Sequence, residues 1–306
     1  MAKSTFQLSD GTDVTTKEPE KEGQEQEVVE FALKDFVDEL REDLASNKIT
    51  LPTLPDVAIE ALLIVNDIDT SASDLVKVIH KDTAITARLI RYANSPLYHG
   101  LQPITSIKPA ITRIGFERVK SAIYTVSMKE VFETTYLPIE QRMKELWSHS
   151  VQVATYGASL AKRYTSLDPD IALVAGLIHD IGKIPILIKA CEHKELTENP
   201  EFLDQVLTKL HSNLGGVILK LWKFDPLMVT VVTEHEDLKR NPGNAPVDYA
   251  DIIQVANIMS YEGTEHPLAT IDRETIAAFA RLKTNDADQE AAKVDAEEIS
   301  KIFNQP

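Results

Sequence analysis

From Val28 to Leu44 the apolar positions Val29, Phe31, Leu33, Phe36, Val37, Leu40 and Leu44 recur at three- and four-residue intervals. That spacing loads one face of a helix, so the pattern predicts an amphipathic helix there. The turn Leu51-Pro52-Thr53-Leu54-Pro55 stops it and opens the next. Further helices are expected at roughly 56–66, 72–79, 82–94, 106–113 and 116–129. Their starts carry side chains able to cap free backbone N–H groups, such as Ser71 and Ser73 before Asp74 and Asp82 before Thr83. Thr134–Pro138 breaks the pattern, and helices resume at roughly 139–164, 169–180, 184–190, 201–222 and 225–236. The polar loop Lys239-Arg240-Asn241-Pro242-Gly243-Asn244 precedes one more, at about 247–261. Neither a strand pattern nor an internal repeat is present, so the class is all-α.

This pattern divides the chain into four stretches. Residues 1–26 read as a disordered acidic tail, 28–133 as an N-terminal helical half and 139–262 as a second helical half. The acidic, Ala-rich 270–306 segment reads as a C-terminal helical appendage packed loosely on the rim. The net charge of −16 excludes nucleic acid as the main partner, because neutralising phosphates takes clustered Lys and Arg. The same charge disfavours an anionic membrane surface. A single cysteine, Cys191, excludes an internal disulfide and fits a reducing compartment. The first residues lack the apolar core of a signal peptide, and the expected location is the cytoplasm.

Chemistry concentrates at His179-Asp180, inside the apolar run Ala175-Gly176-Leu177-Ile178-His179-Asp180-Ile181-Gly182-Lys183. An imidazole and a carboxylate in such a run are costly to bury unless paired, protonated or bound to a metal. Together they offer one nitrogen and one oxygen ligand, and Gly182 leaves room for a ligand to approach the backbone. His149 lies on the preceding long helix, His211 at the start of the helix carrying Gly215-Gly216, and His235 at the end of the next. Helical bundles build metal sites from His and acidic side chains projecting inward from several helices. Read by position, however, His211 and His235 are surface residues at helix termini, and Lys183 is a solvated helix-end residue or a phosphate contact.

The stretch from about Leu51 to Asn257 resembles the HDOD domain, a helical relative of the HD-type phosphohydrolases. The resemblance rests on Leu51-Pro52-Thr53-Leu54-Pro55, Ile79-His80-Lys81-Asp82, Ala93-Asn94-Ser95-Pro96-Leu97-Tyr98, Ile107-Lys108-Pro109-Ala110-Ile111, Leu146-Trp147-Ser148-His149 and the His179-Asp180 run. It implies a bacterial signal-transduction module. It also implies a metal held by His149, His179, Asp180 and a late Asp, which here is Asn257. An amide oxygen carries no net charge, so Asn257 would be a weak fourth ligand. The second-metal set of the related HD-GYP phosphodiesterases would map onto His211 and paired histidines near 235, where this chain has Glu234-His235-Glu236. Their Gly-Tyr-Pro signature is missing after it, which argues against cyclic-di-GMP hydrolysis.

Two functions follow from these residues. One is a non-catalytic regulatory module that binds a signalling protein or a nucleotide-like small ligand, such as a cyclic dinucleotide, at a degenerate cleft. The other is a phosphohydrolase acting on a nucleotide or other phosphoester with one divalent ion (Fe, Mn, Ni or Mg). The first requires no metal at all.

Overall fold

The computed structural model describes residues 35–40, 42, 43, 46, 48, 51–65, 71–98, 100 and 102–303. The chain divides into two units, Met1–Ile49 and Thr50–Pro306. In the first, residues 35–40, 42 and 43 are helical; the rest of the expected 28–44 helix and the 1–26 tail lie outside the described residues.

The second unit is built from helices, with no strand among the described residues. Its first part comprises α1 (Asp56–Val65), α2 (Ala72–Ile79), α3 (Thr83–Ala93), α4 (Ile107–Ile114) and α5 (Phe116–Val131). Ser71 and Asp82 cap α2 and α3, each side chain accepting from backbone N–H groups of the first turn. Gly115, at φ 87°, turns the chain between α4 and α5 in a conformation that a side chain would strain.

The second part comprises α6 (Leu137–Tyr164), α7 (Pro169–Ile178), α8 (Lys183–Ala190), α9 (Lys194–Thr197), α10 (Pro200–Leu221), α11 (Pro226–Glu234) and α12 (Tyr249–Ser260). Three of these starts share one device: Asp168, Asn199 or Asp225 caps the helix, and Pro169, Pro200 or Pro226 follows in its first turn. The proline supplies a helical φ where its missing N–H costs nothing. After α12 come α13 (Ala277–Leu282) and α14 (Asp286–Ser300). Far from resting loosely on a rim, α14 packs along α6 and buries Ala292, Ala296 and Ile299.

The long helix α6 is the organising element, packing against α7, α12 and α14. Helix α7 is apolar on every side, with every residue from Ala172 to Ile178 buried, because α5, α6, α11 and α12 all pack on it. The continuous run Pro169–Ala190 has the length and hydropathy of a membrane span, yet most of it is buried inside this bundle.

A buried carboxylate joins the two parts. Asp170, 1% exposed in the first turn of α7, accepts hydrogen bonds from Tyr92 on α3 at 2.8 Å and from Tyr98 at 2.5 Å. Burial raises its pKa, an effect that these two hydroxyls partly offset.

Candidate metal centre

His179 and Asp180 sit in the tight turn between α7 and α8, because α7 ends at Ile178, two residues earlier than the apolar pattern suggests. Two close helix approaches set this turn. A Cβ on Gly176 would stand 2.3 Å from Ala154 Cα, so this glycine lets α7 lie against the backbone of α6. A Cβ on Gly182 would stand 1.9 Å from the His211 carbonyl oxygen and 2.6 Å from Gly215 N. The space at Gly182 is therefore taken by α10 itself, not kept for an incoming ligand. That contact is what carries His211 to the site.

Five side chains converge on Asp180, which is 1% exposed. Its Oδ2 lies 2.6 Å from Lys183 Nζ, 3.4 Å from His179 Nε2 and 3.7 Å from His149 Nε2. Its Oδ1 faces the other way, 3.4 Å from His211 Nε2 and 3.5 Å from His235 Nε2. Glu236 joins this second side, with Oε2 3.6 Å from His211 Nε2. Two sets of candidate ligands thus share one carboxylate: His149, His179 and Asp180, and Asp180, His211, His235 and Glu236. The ligand atoms of each set lie within 4.8 Å of one another.

The hydrogen bonds fix the state of the rings. Nδ1 of His179, His211 and His235 lies 2.7, 2.7 and 3.0 Å from the carbonyl oxygens of Gly176, Leu207 and Val232. A carbonyl only accepts, so each Nδ1 carries a proton, and the tautomer this selects is the one that leaves Nε2 as the metal-facing nitrogen. These nitrogens meet in pairs. His149 and His179 Nε2 are 3.2 Å apart, and His211 and His235 Nε2 are 3.4 Å apart. Hydroxyls stand beside two of these nitrogens: Ser212 Oγ lies 3.1 Å from His211 Nε2, and the Tyr261 hydroxyl 3.5 Å from His149 Nε2. Asp180 Oδ1 is buried without any hydrogen-bond partner.

A cation resolves each of these contacts. Two ligands bound at ~2.1 Å and roughly tetrahedral angles stand ~3.4 Å apart, close to the separations here. A backbone carbonyl behind each imidazole is also the usual support of a ligating histidine. These residues fit divalent metal.

Protonation favours the same role. Burial, reinforced by the neighbouring His179, lowers the His149 pKa to about 3, so its ring is neutral near pH 7. Burial likewise lowers that of His211. Burial opposes the charge on Asp180, but the Lys183 ammonium 2.6 Å away holds its carboxyl well below the usual range.

Position in the sequence misplaces three of these residues. His211 and His235 are 0% and 1% exposed, not surface residues, and His211 lies in the middle of α10. Both continue apolar stripes: Leu203, Leu207, His211 and Leu214 on α10, and Met228, Val231, Val232 and His235 on α11. That spacing was the available signal. Lys183 is paired with Asp180, its side chain 17% exposed, so it is not a solvated helix end. Asn257 lies on α12 at 2% exposure, with its Oδ1 buried and unpartnered.

Sequence reading misses the supports. The Arg240 guanidinium, 8% exposed, binds Glu234, Asp248 and Asp251 at 2.8, 2.6 and 2.7 Å. Gln254 Nε2 donates to the carbonyls of His235 at 3.4 Å and Asp237 at 2.8 Å. Together they brace the segment that presents His235 and Glu236.

Comparison with known proteins identifies the family and the fold. The family model for the HDOD domain matches residues 51–238. The chain belongs to the HDOD family. A crystal structure from Shewanella amazonensis SB2B, provisionally named a metal-dependent phosphohydrolase, is 30% identical with a TM-score of 0.79; the match covers 89% of this chain and 99% of that one. An HDOD domain protein of unknown function from Geobacter sulfurreducens shares the fold at 22% identity and a TM-score of 0.63, over 90% of this chain and 100% of that one. A protein from Marinobacter aquaeolei VT8, provisionally named for signal transduction, shares it at 16% identity and a TM-score of 0.57, over 89% of this chain and 66% of that one. No curated protein matches the chain.

Proposed function

We propose that this HDOD protein is a cytoplasmic signalling module whose centre holds divalent metal and binds a phosphoester-bearing small ligand there. The observation that carries the reading is the position of Asp180. Its two oxygens face two ligand sets, one oxygen buried without a partner and the imidazoles presenting Nε2. Divalent ions bound at such a centre polarise phosphoryl oxygens and lower the pKa of bound water toward ~7.

The residues of the chain do the rest. Access falls at the rim formed by His149, Lys183 and Glu236, whose side chains are 16%, 17% and 30% exposed. Lys183 keeps its ammonium charged, since Asp180 outweighs the effect of burial, and it stands ready for a phosphate oxygen. Tyr261 stacks on His149 with ring centroids 5.0 Å apart, and His266 stacks on Tyr261 at 3.7 Å. This column covers one face of the His149 ring.

Metal analysis of protein purified without chelator tests the reading, with Fe, Mn, Ni and Mg measured together. Bound metal that is lost in Asp180→Asn is expected. An equal metal content in the wild type and Asp180→Asn, or none in either, would sink it. A calorimetric panel of nucleotides and cyclic dinucleotides then identifies the ligand.

One observation favours a second reading, metal-dependent hydrolysis. A carboxylate shared between two ligand sets would hold two ions side by side, and such a pair would supply charge for the attacking and leaving oxygens of an in-line displacement. Phosphoester turnover that His179→Ala abolishes would establish it, and turnover unchanged by His179→Ala would remove it.

A further inference from the structure

A cavity of about 60 Å³ lies between α3, α5, α6 and the residues following α14, and none of its lining residues belongs to either ligand set. Arg88 and Arg91 reach it from consecutive turns of α3, and Thr125 and Lys129 from consecutive turns of α5. Trp147 and Phe303 close it, with ring centroids 5.7 Å apart. Three cations therefore surround one small space in a chain of net charge −16, and no acidic residue is among the described residues that line it.

The donors around this space are not used up. Arg88 is committed, its Nη1 bonded to Glu130 at 2.7 Å and to the Val126 carbonyl at 3.2 Å. Arg91 Nε, by contrast, is buried with no hydrogen-bond partner. So is the hydroxyl of Thr125, a residue 1% exposed. Buried polar groups left unpaired are rare and destabilising. Unsatisfied donors beside guanidinium and ammonium groups call for a compact acceptor with negative charge.

Size narrows the choice. The space is about four times the ~15 Å³ that one water requires, enough for a tetrahedral oxyanion but not for a nucleoside. Arg91 also lines a neighbouring groove of about 420 Å³, shared with Asn94, Ser95 and the ion-paired Glu298 and Lys301. Ser95 Oγ is again buried and unpartnered. An organic group attached to the oxyanion has room there.

We propose that α3, α5 and the end of the C-terminal helix form a binding site for a small phosphate monoester. Its phosphate would sit among Arg91, Lys129 and Thr125, and its organic part would lie in the Arg91–Ser95 groove.

Trp147 provides the readout. Full-length protein carrying Trp222→Phe, stripped of metal with chelator, is titrated at constant ionic strength with chloride, inorganic phosphate, glycerol 3-phosphate and adenosine 5′-monophosphate. A saturable change in Trp147 fluorescence is expected with phosphate, together with at least equal affinity for one monoester. Affinity should fall tenfold or more in Arg91→Met and in Lys129→Met, while Thr125→Ser keeps it and guards against a folding defect. A phosphate response no greater than that of chloride overturns the proposal. So does a response that survives both charge variants, or binding of phosphate with no monoester accepted. Because the protein is metal-free, failure of the metal reading leaves this result standing.

Discussion

Replacing Gly182 by alanine tests whether the approach of α10 to the His179–Gly182 turn assembles the centre. The added methyl would lie 1.9 Å from the His211 carbonyl oxygen and 2.8 Å from its carbonyl carbon, whereas real Cβ contacts essentially never fall below 3.0 Å. The opposing atoms are backbone in the middle of a helix, so no side chain can swing aside. Helix α10 or the turn must retreat by about 1 Å or more. Overpacking of this kind costs typically 1–3 kcal/mol, and a backbone obstacle points to the upper end. At about 2–4 °C per kcal/mol for a domain of this size, the melting temperature should fall by roughly 6–12 °C.

The same retreat draws His211 Nε2 away from Asp180 Oδ1, now 3.4 Å distant. The set containing His211, His235 and Glu236 should lose its metal, while the set of His149 and His179 keeps its ligands, none of which lies on α10. Thermal unfolding by circular dichroism and metal content by mass spectrometry check both effects. A Gly182→Ala protein with the wild-type melting temperature and metal content would refute the reasoning.

Arg240→Met removes the guanidinium that binds Glu234, Asp248 and Asp251, and should weaken metal binding at the His211–His235–Glu236 set by about 10–100-fold. Calorimetry would show one of two binding events shifted and the other retained. Asp170→Asn should reveal a pH-dependent brace. Burial raises the Asp170 pKa, so the folded state holds this proton more tightly than the unfolded chain, and the resulting stabilisation fades as pH rises through the folded value. The stability difference between wild type and Asp170→Asn should therefore widen on acidification from pH 7 toward ~4, read from urea midpoints.

The helices are legible in the sequence because their ends carry local chemistry. Asp168-Pro169, Asn199-Pro200 and Asp225-Pro226 each combine a cap with a helix-compatible proline. The HD pair is legible because charge in an apolar run demands a partner. The second ligand set is less so. His211 and His235 look like polar residues near helix ends until their place on the apolar stripes is noticed. Glu236 has no signal beyond standing next to His235. Its role depends on the tertiary position of the 235–248 segment, which Arg240 and Gln254 brace through contacts up to 19 residues apart. Gly182 shows the same limit, since its neighbour at 1.9 Å belongs to a residue 29 positions later in the chain.

This geometry reverses the order of the two sets that composition suggests. The His149–His179 set carries the residues on which the resemblance rests, yet the position where the resemblance expects a fourth, acidic ligand holds the neutral Asn257, and Lys183 Nζ stands 2.6 Å from the Asp180 oxygen on that side. An ammonium already on that oxygen opposes a second cation there. The other set adds Glu236, a full negative charge whose side chain is 30% exposed, so its desolvation costs little. At the effective dielectric of a protein, one unit charge a few ångströms from a divalent ion matters on the order of several kcal/mol before desolvation is subtracted. Charge therefore outweighs pattern, and the first equivalent of metal should enter the His211–His235–Glu236 set. Asn257→Asp should tighten only the second, weaker equivalent, and Glu236→Gln only weaken the first. If Glu236→Gln leaves the tighter equivalent unchanged, the order is wrong and the His149–His179 set fills first.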